Sequence, residues 1–204
     1  MNPQEYLEKT SSAVKHLFTG IDAYIQVFKT APFPVLIFVQ GTPEEDEARL
    51  AAWKIEQAAE IDAQQQALSK FVAESFALNA LCGAVLQIAQ KGLEICSTNK
   101  TVNADWETIP KSWIRCCVGR EIHGVPQGII VQAARNQFAH FNDPSPMKPT
   151  IAVFDALAKG DTCLSLTESN VIRMATNVTG VMGWRDYEVY QRDMRSMLNL
   201  DGTD

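Results

Sequence analysis

Three observations predict an all-α fold for this chain. Apolar residues recur at steps of three and four along most of its length, strong helix starts and stops punctuate it, and no pair of alternating apolar runs exists to build a sheet. The stretch with most strand character is 35–39, which is apolar and rich in β-branched residues but has no partner run, so a buried helical turn or an extended linker is expected there.

The elements follow in order. Val14, Leu17, Phe18, Ile21, Tyr24, Ile25 and Phe28 form the apolar stripe of a first helix that should stop near Lys29, before Pro32 and Pro34. Thr42-Pro43-Glu44-Glu45 is a helix start, with a capping hydroxyl, proline at the first position and carboxylates at the positive end of the helix dipole. That helix should run into the sixties with a thin apolar face of Leu50, Trp53, Ile55 and Ile61. Over 68–96, Phe71, Val72, Phe76, Leu78, Leu81, Val85, Leu86, Ile88 and Leu93 surround the helix axis, which predicts the central core helix.

The polar stretch 97–109 reads as a surface loop pinned by Trp106, and 110–118 as a short helix turning Trp113, Cys116 and Cys117 inward before Gly119 and Gly124. Pro126 suits the first turn of a helix reaching Phe141, ended by Asn142, Asp143 and Pro144. Two or three further helices are expected, at 150–159, about 168–182 and about 185–198, the last two carrying Val171, Met174, Val178 and Val181, then Tyr187, Tyr190, Met194 and Met197.

With 204 residues the chain suits one domain, 1–204. Hydrophobic residues at 46% and charged ones at 21% are ordinary for a globular protein and argue against disorder. The N-terminus has no signal-peptide core and the run 33–39 is too short to span a bilayer, so a cytoplasmic protein without a membrane is expected. Five cysteines without a Cys-x-x-Cys pair imply reduced thiols. A net charge of −6 has the wrong sign for a broad nucleic-acid surface, so any RNA contact must be local.

Of three histidines, His16, His123 and His140, the last stands in the segment Arg135-Asn136-Gln137-Phe138-Ala139-His140. On a helix, Asn136 and His140 share a face, and Arg135 is long enough to fold toward them near a loosened helix end. An imidazole to move protons and a guanidinium to hold a phosphate suit phosphodiester chemistry without a metal. Asn136 can orient the imidazole or hold a phosphate oxygen, and Phe138 and Phe141 can pack the core or meet a base.

These residues resemble the HEPN superfamily signature, an arginine, usually followed by a polar residue such as asparagine, then a histidine after four to six residues near a helix end. Here the gap is four. The resemblance implies an up-and-down helical bundle with additional N- and C-terminal helices and a motif helix at about 126–141. It implies a metal-independent endoribonuclease of toxin or defence type, with Arg135 and His140 as the catalytic pair, Asn136 in support, no cofactor and a homodimer as the active unit. Single-stranded RNA at a local cleft is the implied partner, and an antitoxin or a nucleotidyltransferase is a further one. HEPN members also include non-catalytic nucleotide- or protein-binding modules, which is the alternative function.

Other readings weigh against these. Arg135 and His140 also suit a cation-finished helix end, with Arg135 paired to an acid such as Asp143. Asn79, in an otherwise apolar helix, must be satisfied in the core or at a helix contact, or line the cleft. Cys116, Cys117 and His123 lack the paired spacing of a zinc site, His123 reads as a loop residue, His16 as solvent-facing, and 44–47 as dipole compensation. Walker, nucleophile-elbow and His-Glu-x-x-His motifs are absent from the sequence, which removes triphosphatase, esterase and zinc protease readings.

Overall fold

The fold is all-α, in a computed structural model that describes residues 1–30, 32, 34–35, 41–141 and 146–201. Helix α1, Pro3–Lys29, buries Tyr6, Leu7, Val14, Phe18 and Ile21, which return to one side at helical spacing. Helix α2, Pro43–Glu56, starts as its sequence requires. The Thr42 hydroxyl accepts from the Glu45 amide at 3.3 Å while the Glu45 carboxylate accepts from the Thr42 amide at 2.9 Å, a reciprocal capping box. None of its residues is buried.

A break at Gln57 separates α2 from α3, Ala58–Cys96, so the second helix stops short of the sixties and the third starts earlier than its apolar character suggests. Burial along α3 begins only at Leu78; Leu68, Val72 and Phe76 are exposed. The expectation that 68–96 forms the core throughout its length therefore holds only for its second half. Among the described residues α3 is the one helix long and apolar enough to cross a membrane by length and composition, with a mean hydropathy of 1.5 over an 18-residue stretch. A third of that stretch, 33%, is buried within the chain.

The loop after α3 carries a 3₁₀ turn at Ala104–Trp106, and the Trp106 indole donates to the Gly124 carbonyl at 3.2 Å, the pin expected of it. A 3₁₀ helix at Lys111–Cys116 turns Trp113 and Cys116 inward. Next comes a two-residue hairpin that hydrophobic alternation could not reveal, β1 Glu121–Ile122 against β2 Val125–Pro126, antiparallel with Ile122 opposite Val125. His123 and Gly124 close it with φ of 50° and 76°, the left-handed pair that a tight two-residue turn demands. The His123 ring lies against Gly160, where a side chain would collide with it.

Helix α4, Gln127–Ala139, is buried on nearly all sides. It packs against the 3₁₀ helix, α5 (Lys148–Ala158) and α7 (Met174–Val181), and it is the true centre of the bundle. Small residues make this possible: Gly128 lets the Cys116 carbonyl come close, and Gly83 of α3 receives the Phe138 ring. The helix expected at 168–182 is split into α6, Glu168–Val171, and α7. No side chain of its own caps α7. Asn79 of α3 does so instead, its Oδ1 accepting from the Thr176 amide at 3.1 Å and the Thr176 hydroxyl at 3.4 Å. Asn79 is thus satisfied at a helix contact rather than lining a cleft.

Helix α8, Tyr187–Met197, is capped by Asp186 and buries Tyr190, Asp193, Met194 and Met197. Tyr190 packs against Phe18 and edge-on to Trp184, at ring separations of 5.8 and 5.0 Å. Asp193 is 5% exposed, and its Oδ2 accepts from the Gln127 amide at 2.6 Å and the Trp184 indole at 2.9 Å, with the Arg120 guanidinium 3.5 Å away. Such a buried carboxylate is sustained by two donors and a cation at Oδ2 and by the Arg192 guanidinium 3.7 Å from Oδ1.

Two compact units divide the chain: Ala23–Ser75, and Met1–Asp22 with Phe76–Asp204. The first holds a cavity of about 220 Å³ lined by Ala23, Tyr24, Val27, Lys70, Phe71 and Glu74. The expected stretch 33–39 lies largely outside the described residues, as do 142–145, where the end signal of α4 and the Asp143 partner were placed.

Removing the Asp193 carboxylate strands two buried donors. Asp193→Ala should lower unfolding free energy by about 3 kcal/mol, and Asp193→Asn by about 1 kcal/mol because an amide oxygen still accepts. Urea denaturation followed by circular dichroism measures both; a change below about 0.5 kcal/mol for the alanine variant would contradict the role given to Asp193.

Candidate functional site

Helices α3 and α4 run antiparallel within the second unit, Gly83 meeting Phe138, Gln87 meeting Arg135 and Gln90 meeting Gln132. Their contact is polar where most helix contacts are apolar. Gln90 Nε2 donates to Gln132 Oε1 at 3.1 Å, and the Cys116 thiol donates to the same oxygen at 3.6 Å. Gln132 Nε2 in turn donates to Asn136 Oδ1 at 3.2 Å. With these three bonds the amides of Gln90, Gln132 and Asn136 are buried, and none of them is among the buried side-chain atoms left without a partner in the described residues.

Arg135 ends this chain of bonds. Its Nε donates to Gln87 Oε1 at 2.8 Å and its Nη1 to Asn136 Oδ1 at 3.3 Å. The side chain is half-buried, so its guanidinium is held by neutral amides instead of a carboxylate. A short distance along α3, Glu94 is held below the usual carboxylate range, first by the Lys91 ammonium at 3.1 Å, then by Gln90 and the more distant charge of Arg135.

His140 is the C-cap of α4. Its backbone leaves the helical region at φ −123° and its amide donates to the Asn136 carbonyl at 3.1 Å, while its side chain is exposed. Asn136 is therefore bonded to both other motif residues, through its side chain to Arg135 and through its main chain to His140. It orients the guanidinium and not the imidazole. Phe138 is half-buried over Gly83, whereas Phe141 is 40% exposed beside His140.

Elsewhere the sequence readings resolve simply. His16 is exposed on α1, with Nδ1 2.7 Å from the Ser12 carbonyl, and His123 is in the hairpin turn. All five cysteines are free thiols, and among the described residues no group of three or more His, Cys, Asp or Glu is arranged to hold a metal. A cavity of about 290 Å³ lies between the ends of α3 and α8, lined by Ser97, Asn99, Gly119 and Met197 among others; like the smaller one, it includes none of Arg135, Asn136 or His140.

Gln87, Gln90 and Gln132 were not singled out from the sequence, yet they build the setting of Arg135. Their signal was present: Gln87, Gln90 and Glu94 repeat at steps of three and four on an apolar helix, and Gln132 stands three residues before Arg135 and four before Asn136 on the next. Asp193, likewise, occupies the buried stripe of α8 three residues after Tyr190. Compared with known proteins, the chain matches no family profile, no curated protein and no solved structure.

Burial pushes the Cys116 thiol up to about 12 from an ordinary value of 9.0, and the Tyr6 phenol up to about 12 from 10.0. Cys82 and Cys117 are raised by the same cause. The native state thus holds protons that the unfolded chain releases first. The stability these groups contribute is whole below about pH 9 and is lost as pH rises toward about 12. Urea midpoints should be flat from pH 7 to about 8.5 and then fall steadily; a midpoint that climbs above pH 9 would contradict the protonated state assigned to these groups.

Proposed function

We propose that the chain is a HEPN-like, metal-independent endoribonuclease, as the resemblance of Arg135 to His140 implies. The observation that carries the reading is the position of Asn136, which holds the guanidinium with its side chain and the His140 backbone with its carbonyl at the end of α4. A phosphate clamp and an exposed proton carrier then flank one buried residue.

In this reading His140 takes the proton of a ribose 2′-hydroxyl, whose oxygen attacks the adjacent phosphorus in line as the bond to the 5′-oxygen breaks. Arg135 hydrogen-bonds the non-bridging oxygens as their charge grows. The products are a 2′,3′-cyclic phosphate and a 5′-hydroxyl, with the leaving oxygen taking a proton from solvent or the imidazolium. Two protomers facing each other complete the cleft, and the cytoplasm is the site of action. A second reading keeps the fold without catalysis: the half-burial of Arg135 and its two amide partners also suit a structural helix contact in a nucleotide- or protein-binding module.

The purified protein should cleave single-stranded RNA in the presence of a chelator. His140→Ala should lower the rate by about a hundredfold or more, with helical circular dichroism and oligomeric state unchanged. Equal cleavage by the variant overturns catalysis by His140. RNA or nucleotide binding without cleavage by the native protein favours the binding module.

A further inference from the structure

The hydrogen bonds of Arg135 specify which of its edges meets a ligand. A guanidinium offers two forks to an oxyanion: a side-on fork made by Nε–H with the neighbouring Nη2–H, and an end-on fork made by Nη1 and Nη2. Gln87 Oε1 accepts from Nε at 2.8 Å, which occupies the side-on fork. Nη1 donates to Asn136 Oδ1 at 3.3 Å, while Nη2 makes no hydrogen bond among the described residues. Asn136 is itself fixed by Gln132, so the guanidinium plane is held at two points by side chains from two helices.

We propose that Gln87 is a positioning residue for Arg135, presenting the Nη1–Nη2 edge so that a phosphate is gripped end-on. This rests on the reading that Arg135 binds a phosphodiester. A neutral amide suits the role better than a carboxylate. Glu or Asp at this place would fix the plane equally well but cancel the positive charge that attracts the anion. Gln87 is only half-buried, so its amide is not needed merely to fill the core.

The test uses the full chain and nuclear magnetic resonance of the arginine side chains, with the Arg135 signals assigned by their loss in Arg135→Lys. In the native protein the Nε–H of Arg135 should give a resolved, slowly exchanging signal, and inorganic phosphate should shift the Nη signals while leaving Nε in place. Gln87→Met should abolish the resolved Nε signal and weaken phosphate binding. Gln87→Glu, which keeps the acceptor, should retain the Nε signal yet also bind phosphate more weakly.

On single-stranded RNA, Gln87→Met should lower kcat about tenfold with KM within about twofold, since orientation matters most when charge develops. In the Arg135→Lys background the same change should cost less than about twofold. An Nε signal that survives Gln87→Met, phosphate that shifts Nε or no Arg135 signal at all, or a full tenfold loss recurring without Arg135 overturns the proposal. A native protein that leaves RNA intact defeats the ribonuclease reading alone, and the phosphate titration then decides the role of Gln87 by itself.

Discussion

The amide seam between α3 and α4 is the constraint on which the site depends. An apolar helix contact can slide or rotate at modest cost, because one methyl group replaces another. A buried amide has no such freedom: moving α4 by one turn would break the bonds that cross from α3, Gln90 to Gln132 and Gln87 to Arg135, and would strand the Gln90 and Gln132 amides where less than a tenth of each residue is exposed. The bonds therefore select one register out of those the apolar residues permit. Gly83 reinforces the choice sterically, since the Phe138 ring fits only where a residue lacks a side chain.

A second anchor acts at the opposite end of α4. Gln127, its first residue, donates to Asp193, which also holds the Trp184 indole and lies near Arg120. One carboxylate thus ties the start of α4 to α8 and to the turn before it. The Arg120 guanidinium adds a bond to the Met182 carbonyl at 2.6 Å, joining the hairpin approach to the end of α7. With its first residue fixed by Asp193 and its middle by the seam, α4 is left exposed only at its last turn. That is where Ala139, His140 and Phe141 reach solvent.

What could be read from sequence follows from how local each signal is. The α2 start was legible because capping uses residues three apart, Thr42 and Glu45. The stripe of α1 was legible because burial imposes a period on one helix. The extent of α3 was not, because an apolar helix looks alike whether or not neighbours cover it, and Val72 and Phe76 are exposed while Val85 and Leu86 are sealed. The split at 172–173 escaped for a related reason: α7 begins where Asn79, 97 positions away, supplies its cap. The motif residues were legible as a pattern, but their roles were not. The pattern allows Asn136 to orient the imidazole or to hold a phosphate oxygen, whereas in the fold its oxygen accepts from Gln132 and Arg135 of its own helix, a choice of rotamer that spacing alone does not reveal.

The same packing bears on how an acidic chain can attend to a phosphate. With a net charge of −6, the long-range field repels an anion instead of drawing it in. The C-terminal end of α4 adds to this, being the negative pole of the helix. Attraction must then come from close-range hydrogen bonds, which act only over a few ångströms and reward geometry above total charge. A guanidinium already fixed by Gln87 and Asn136 loses little freedom when it meets a ligand, so its binding energy is not spent on ordering the side chain. Such a group contributes most when charge on the phosphate oxygens increases, as it does when a bond to phosphorus is being exchanged. On the proposed ribonuclease reading, the arrangement in an acidic chain favours a site that holds its ground-state ligand weakly and the reacting phosphate more strongly.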